Sequence, residues 1–245
     1  MSVLNRTIGS RSLPDPRSPH ETKANAVLRP VVFGGNDGLV SNLALVMGVV
    51  GANPAPSVIV LAGVAGLLAG AFSMGVGEYI SVQSQRELLD YQVAFQRKQL
   101  AEVPEQERAI LSGIYRERGF SAEDAERFTD SVFADPEHAV RLLIFEEVGL
   151  DERSIGSPMN AAIGSFFAFT LGAFIPLLPY LISSGTPAFV ASLGCSLAAL
   201  FLLGLGISWL TRRSAIYSAL RQMALGAAAA AVTYGVGYLI GVQAA

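Results

Sequence analysis

A carboxylate lies inside the first long apolar stretch of the chain. Between Pro30 and Pro54 the only charged residue is Asp37, and a charge at the centre of a membrane-spanning helix costs about 2.5–3.5 kcal/mol. Asn36 and the glycines around it offer amide and backbone groups, which together with a carboxylate suit a bound cation or a titrating proton. The alternative is a structural carboxylate that pairs with a nearby arginine or caps a kinked helix.

A second pair of candidate ligands lies in the next apolar stretch. Met74 and Glu78 are four residues apart, so they share one face of a helix. A thioether is a soft ligand, and its combination with carboxylates indicates a borderline divalent transition metal rather than magnesium or calcium. The alternatives are that Met74 only packs in an apolar helix and that Glu78 only lies at the membrane interface.

The elements that position these residues are predicted to be membrane helices. The chain has 245 residues, of which 51% are hydrophobic and 15% charged, which is too apolar for an ordinary soluble domain. Five apolar stretches reach the length of about 20 residues that a span requires: ~30–52, ~57–81, ~159–183, ~187–210 and ~222–242. The predicted fold class is therefore an all-α membrane protein with five transmembrane helices. The single cysteine, Cys195, is predicted to be a small buried side chain.

Close packing is expected along the second span. Small residues recur there at steps of three and four, which lets helix backbones approach each other in lipid. These residues are Gly63, Gly66, Gly70, Ser73 and Gly77.

A charged, helix-prone segment separates the second span from the third. Its first part, 82 to about 103, is predicted to continue the second helix into water. Pro104, Ser121 with Asp124, and Asp135 are typical of helix starts, so about three more helices should follow. The predicted organisation is a disordered tail (1–28), spans one and two (29–81), a cytoplasmic helical insert (82–156) and spans three to five (157–245).

The insert holds a dense set of acids. Glu102, Glu105, Glu107, Glu146 and Glu147 could collect divalent cations at the mouth of a pathway if the fold brings them together. The alternative is a solvated helical face on which acids alternate with arginines.

The basic residues are distributed on one side of the predicted topology. The tail counted with the adjoining Arg29, the insert and the segment 211–221 hold five, nine and three Arg or Lys residues, which is all 17 in the chain. The positive-inside rule then predicts a cytoplasmic N-terminus and insert and a C-terminus outside.

The sequence also limits the class of function. No nucleophile elbow, phosphate loop or Cys/His cluster is visible, so we expect a secondary transporter rather than an enzyme. A net charge of −3 does not indicate nucleic-acid binding.

Two motifs, FGGNDGLVSN and AGAFSMGVGEYISVQSQRE, resemble the vacuolar iron transporter family, and the resemblance covers ~30–242. It implies a homodimer with a cation pathway at the subunit interface, in which Fe²⁺, often also Mn²⁺, is exchanged for protons. It also implies that Asp37 is the transport carboxylate and that Met74 is the metal-contacting methionine.

The insert departs from the family pattern. At constant offset from the two motifs, the family's metal-collecting positions hold Gln96, Gln99, Glu107, Ile110, Leu143, Ile144 and Glu147. Only Glu107 and Glu147 keep a carboxylate, while Gln96 and Gln99 offer neutral oxygens. Metal loading is then weak or absent, or the insert is structural, or its ligands have moved to Glu102, Glu105 and Glu146; we favour weak or absent loading.

The predicted function is a proton-coupled exporter of Fe²⁺, and of Mn²⁺ as a second candidate, from the cytoplasm through a dimer-interface pathway. No permanent cofactor is expected; the metal is cargo. The partners are divalent transition metal ions, protons, the bilayer and a second copy of the chain. The alternative is a membrane metal-binding or assembly protein that no longer transports. A bacterial inner membrane is the expected location.

Overall fold

The computed structural model describes residues 19–149, 155–211 and 213–244, and these ranges form eight α-helices. In chain order the helices are α1 (Pro19–Gly51), α2 (Pro56–Glu102), α3 (Pro104–Glu117), α4 (Ala122–Phe133), α5 (Pro136–Val148), α6 (Pro158–Ile182), α7 (Gly185–Thr211) and α8 (Ala215–Ala244). Residues 1–18 of the expected tail lie outside the described ranges.

Five of these helices contain a stretch long and apolar enough to cross a membrane, which confirms the predicted fold class. The stretches lie in α1, α2, α6, α7 and α8. Two helices begin earlier than the predicted spans. Helix α1 starts at Pro19, so it covers 19–28 of the expected tail, because a proline suits the first turn and no glycine or proline follows until Pro30. Helix α8 starts at Ala215 rather than near 222.

The helix boundaries of the insert follow the predicted capping signals. The Ser121 hydroxyl accepts from the Asp124 amide at the start of α4, and the Asp135 carboxylate accepts from the amides of Glu137 and His138 at the start of α5. Gly119 and Gly149 follow α3 and α5 with positive φ angles of 98° and 74°, the conformation in which glycine ends helices without strain.

Helix α1 lies at the centre of the membrane helices. It packs most extensively on α6 and then on α8, and α2 packs mainly on α6. Glycines permit these approaches, since a Cβ at Gly38 would overlap the Phe169 carbonyl and one at Gly172 would overlap the Gly35 carbonyl. The same holds on α2, where a Cβ at Gly70 would enter the Phe169 ring. The backbone around Asp37 is thus fixed against α6.

The predicted small-residue stripe of α2 is only partly used inside one chain. Gly63 and Gly70 pack against α6 and Gly66 against α1, whereas a Cβ added at Gly77 would meet nothing within 4 Å. The glycines of this stripe as far as Gly70 therefore pack closely against their own chain, whereas Gly77 faces open space.

The insert has a small apolar core of its own. Leu111, Val132, Ala139 and Leu143 form one buried cluster, and Leu89 packs with Val140 and Ile144 in a second. Helix α2 joins both regions because its polar half continues from the span without a break. The insert is thus a helical unit built around the extended end of α2.

The prediction that Cys195 is a buried side chain was wrong. Its side chain is exposed on the surface of α7. A membrane helix presents apolar residues to lipid as well as to its neighbours, so a small side chain in an apolar run does not have to be a core residue.

Candidate metal groove in the membrane region

A groove of about 380 Å³ lies between α1 and α2, with Phe169 of α6 at its floor. It brings together residues from both sequence motifs. Its lining residues are Phe33, Asp37, Ser41, Asn42, Leu45, Gly66, Gly70, Ser73, Met74, Gly77, Glu78 and Phe169. The three glycines of α2 contribute no side chains to this lining, and Gly66 is the one that faces α1.

Asp37 is half-buried in this groove. Within the described part of the chain no arginine or lysine forms an ion pair with it, although other ion pairs are present. The basic residue Arg221 instead lies over the ring of Tyr217 at 5.9 Å. Because a membrane-embedded carboxylate without a protein cation is costly when ionised, the groove suits a bound proton or metal ion at Asp37.

Met74 and Glu78 line the same groove, one turn apart on α2, as their spacing predicts. Both are half-buried. The groove thus presents two carboxylates and one thioether, a donor set that suits divalent transition metals.

Asn36 lies outside the groove, although it adjoins Asp37 in sequence. Its side-chain oxygen accepts a short hydrogen bond from the Gln222 amide of α8. Successive helix residues point about 100° apart, so Asp37 can face α2 while Asn36 faces α8. The candidate ligand Asn36 is therefore engaged in joining two helices.

Asn42 is a groove residue that the sequence reasoning missed. Its side chain is only 2% exposed, and its Nδ2 donates to the Ala173 carbonyl of α6 at 2.6 Å. Its Oδ1 is buried and has no hydrogen-bond partner, and such an unmet acceptor costs about 1–3 kcal/mol. The available signal was an amide inside an apolar span, five residues after Asp37.

In the insert, three of the expected positions come together. The Gln96 Nε2 donates to the Glu107 Oε2 at 2.6 Å, and the Glu107 side chain is 4% exposed. Partial burial raises the pKa of Glu147, and the negative charge of Glu107 raises it further. The two carboxylates are therefore close enough to repel each other, and Gln96 already satisfies one oxygen.

The other acids of the insert are next to cations. Arg118 and the Tyr115 hydroxyl both bind Glu146, whose side chain is 3% exposed. Glu102 lies 3.8 Å from Lys98. Glu105 lines a surface depression with Arg108, whose guanidinium pairs with Asp130. The contacts of Glu102 and Glu146 favour ion pairs over metal ligation at these two residues.

The remaining insert positions offer little ligation. Leu143 and Ile144 are buried in the two apolar clusters, and Ile110 is 43% exposed. Gln99 is half-buried on α2, one turn from Gln96. Hydrophobic contacts thus fill part of the space where the family resemblance implied a metal site.

Comparison with known proteins assigns the chain to a family. The sequence profile of the VIT family matches residues 28–238. The chain belongs to the VIT family. Its relatives include a protein of Arabidopsis thaliana named vacuolar iron transporter 1, which is 30% identical over 225 residues, or 91% of this chain and 90% of the relative.

Two further relatives of this VIT-family chain carry the name vacuolar iron transporter. One is from Toxoplasma gondii, 30% identical over 92% of this chain and 78% of the relative. The other is from Acanthamoeba castellanii, 34% identical over 86% of this chain and 78% of the relative. Family membership and the five spans together make the chain an integral membrane protein.

Across the described residues of this VIT-family chain, no group of three or more His, Cys, Asp or Glu side chains is arranged to hold a metal ion. The groove provides two such side chains, Asp37 and Glu78, and completes its donor set with Met74 and neutral oxygens. A site of this kind is only partly anionic, which suits a cation that binds and leaves rather than one held permanently.

Proposed function

We propose that this protein is a proton-coupled transporter that exports Fe²⁺ from the cytoplasm, with Mn²⁺ as a second substrate. The observation that carries the proposal is Asp37, a carboxylate in a membrane span. It has no cationic partner among the residues that the structure describes, and it shares one groove with Met74 and Glu78. The names of its relatives, vacuolar iron transporters, support the choice of iron.

The coupling follows from competition at Asp37. A divalent metal and a proton bind the same carboxylate lone pairs, so each displaces the other. Where the proton concentration is high, protonation of Asp37 removes the negative ligand and releases the metal. Where it is low, the ionised carboxylate binds metal again. A pH gradient across the membrane therefore drives the metal in the direction opposite to the protons.

Met74 and Glu78 give the groove its selectivity and its entrance. The thioether of Met74 is a soft ligand that magnesium and calcium bind poorly. Glu78 is one turn closer to the polar half of α2, so it meets a cation arriving from the insert before Asp37 does. We propose that the metal enters from the insert side and passes from Glu78 to Met74 and Asp37.

The proposed direction of export rests on the distribution of basic residues, from which the positive-inside rule predicts a cytoplasmic N-terminus and insert and a C-terminus outside. We propose a bacterial inner membrane as the location and a homodimer as the working unit. The open side of the groove supports the homodimer, because a second copy facing it would enclose the pathway and exclude lipid from Asp37.

Metal flux into sealed proteoliposomes tests this function. Purified protein is reconstituted, and uptake of Fe²⁺, Mn²⁺, Co²⁺ and Zn²⁺ is recorded with and without a pH gradient. We expect Fe²⁺ and Mn²⁺ uptake that an opposing proton gradient accelerates, together with proton movement in the other direction. Metal-independent proton leak, or no flux above that of protein-free vesicles, would contradict the proposal.

A second candidate function is a membrane metal-binding or assembly protein that does not transport. The observation that favours it is the insert, where buried Leu143 and Ile144 occupy expected ligand positions. The same vesicles distinguish the two functions, since a binding protein takes up metal only in proportion to the amount of protein, whereas a transporter fills the lumen.

A further inference from the structure

The buried amide of Asn42 provides an oxygen that no protein group uses. Its orientation is fixed by chemistry, because the Ala173 carbonyl can only accept a hydrogen bond. The amide nitrogen must face that carbonyl, at 2.6 Å, since the reverse orientation would bring two oxygens together. The oxygen Oδ1 therefore points away from α6, where no hydrogen-bond partner meets it.

The free oxygen faces the groove. Asn42 lines it together with Asp37 and Met74. A Cβ built at Gly66, on the opposite helix, would lie 3.1 Å from the Asn42 Oδ1. The oxygen itself is shielded from solvent, and Gly66 has no side chain to stand between it and an ion in the groove.

We propose that Asn42 Oδ1 is a further ligand for the transported cation, in addition to Asp37, Met74 and Glu78. The proposal rests on the proposed function, in which the groove binds a divalent metal. An amide oxygen is a hard, neutral ligand, which suits Mn²⁺ and Fe²⁺. Unlike a carboxylate it does not take up a proton in the working pH range, so it raises metal affinity without changing the number of protons exchanged.

The two roles of the amide explain why an asparagine serves here. Its nitrogen anchors the side chain to α6, and its oxygen is held at one position on the groove wall. A ligand that is fixed before binding loses little conformational freedom when the metal arrives. The arrangement also requires a glycine at position 66, since a methyl group on Gly66 would cover the Asn42 Oδ1.

Mn²⁺ binding and transport by the full chain test the proposal with the variant Asn42→Leu, which keeps the side-chain size and removes the oxygen. We expect the Kd for Mn²⁺, measured on the detergent-purified protein, to rise about 10-fold, while the ratio of protons to metal in proteoliposomes stays unchanged. A second variant, Gly66→Ala, leaves both groups of the bond between Asn42 and Ala173 in place and puts a methyl group against the oxygen, with the flexible end of Leu45 shifting to admit it. It should weaken Mn²⁺ binding in the same direction even if Asn42→Leu folds poorly.

The matched control is Ser196→Ala. Ser196 is buried in α7 and its Oγ has no partner either, but it is outside the groove, so the Kd for Mn²⁺ should not change. Normal Mn²⁺ affinity in both Asn42→Leu and Gly66→Ala would overturn the ligand role of Asn42 while leaving the proposed function intact, provided that Asp37→Asn still abolishes binding. Absence of Mn²⁺ and Fe²⁺ binding by the unmodified protein would overturn both.

Discussion

The groove between α1 and α2 and the insert both contain carboxylates, but the carboxylates have different partners in the two regions. In the groove, Asp37 and Glu78 line an open space, and no basic residue in the described part of the chain forms an ion pair with Asp37. In the insert, Arg118 binds Glu146, and Arg97 lowers the pKa of Glu137 through hydrogen bonds at 2.8 and 3.1 Å. The groove holds few acids that are available, whereas the insert holds many that are mostly engaged.

The difference shows that acid density is a poor guide to metal binding. A carboxylate within an ion pair must lose its partner before it binds a metal, and that loss offsets much of the gain. Asp37 has no such partner among the described residues, and a bound cation would itself relieve the cost of desolvating this carboxylate. We therefore expect changes in the groove to affect transport and changes in the insert to affect stability.

Asp37→Asn should have the largest effect. The substitution keeps the side-chain shape and removes the charge, and a loss of about 3 kcal/mol in metal interaction corresponds to a decrease of roughly 100-fold in affinity. Fe²⁺ flux in proteoliposomes should fall to the level of empty vesicles. The control Asp90→Asn makes the same change at an exposed position of α2 and should leave flux unchanged. Equal losses in the two variants would count against a special role for Asp37.

Met74→Leu should have the next largest effect. Leucine fills a similar volume without a sulfur ligand, so Fe²⁺ flux should fall about 10-fold, and Mn²⁺ flux should fall less because Mn²⁺ depends less on soft ligands. Competition between the two metals in one vesicle preparation measures the shift. Met159→Leu, at an exposed position at the start of α6, is the control. An unchanged preference would indicate that Met74 only packs.

Arg118→Met should destabilise the insert without affecting transport. Glu146 would lose its cation while its side chain remains 3% exposed, at a cost of about 1–3 kcal/mol. Amide hydrogen exchange over α3–α5 should become faster, and Fe²⁺ flux should change less than about twofold. Arg127→Met removes a pair exposed on both sides, worth less than about 1 kcal/mol. A loss of flux in Arg118→Met with α3–α5 still protected would assign Arg118 to the pathway.

Glu147→Gln should have the smallest effect, and it depends on pH. Burial and Glu107 raise the pKa of Glu147, so the folded insert binds this proton more tightly than the unfolded chain does. Its stability is then greatest below the ordinary glutamate pKa of about 4.3 and declines as the pH rises through the raised value. The glutamine variant lacks this decline and should be slightly more stable at neutral pH. Thermal unfolding of the insert between pH 4 and 7 measures how the stability of each protein changes with pH. The same pH dependence in both proteins would show that the pKa of Glu147 is not raised in the folded insert.

Sequence patterns predicted most of the fold because its causes are local. Long apolar runs specify spans, and Ser121, Asp135 and Gly149 specify helix ends through contacts a few residues away. The start of α1 was placed too late, since the helix continues beyond the apolar stretch that defines the span. The surface position of Cys195 was missed because lipid-facing and buried positions of a membrane helix have similar composition.

The part of the site that depends on local spacing was also predictable. The spacing of Met74 and Glu78 puts them on one face of α2, but whether they meet Asp37 depends on how α1 and α2 pack. The packing of α1 on α8 turns Asn36 toward Gln222, and a hydrogen bond to α6 holds Asn42 at the groove. Neither orientation is encoded in the residue spacing, because both follow from contacts with α6 and α8.

The most direct test of the account records metal and proton movement together in one set of proteoliposomes. Three proteins are compared: the unmodified chain, Asp37→Asn, and the double variant Glu107→Gln with Glu147→Gln. We predict coupled Fe²⁺ and proton flux in the unmodified chain, none in Asp37→Asn, and at least about half of the normal flux in the double variant. Loss of flux in the double variant, with coupled flux retained in Asp37→Asn, would contradict the account.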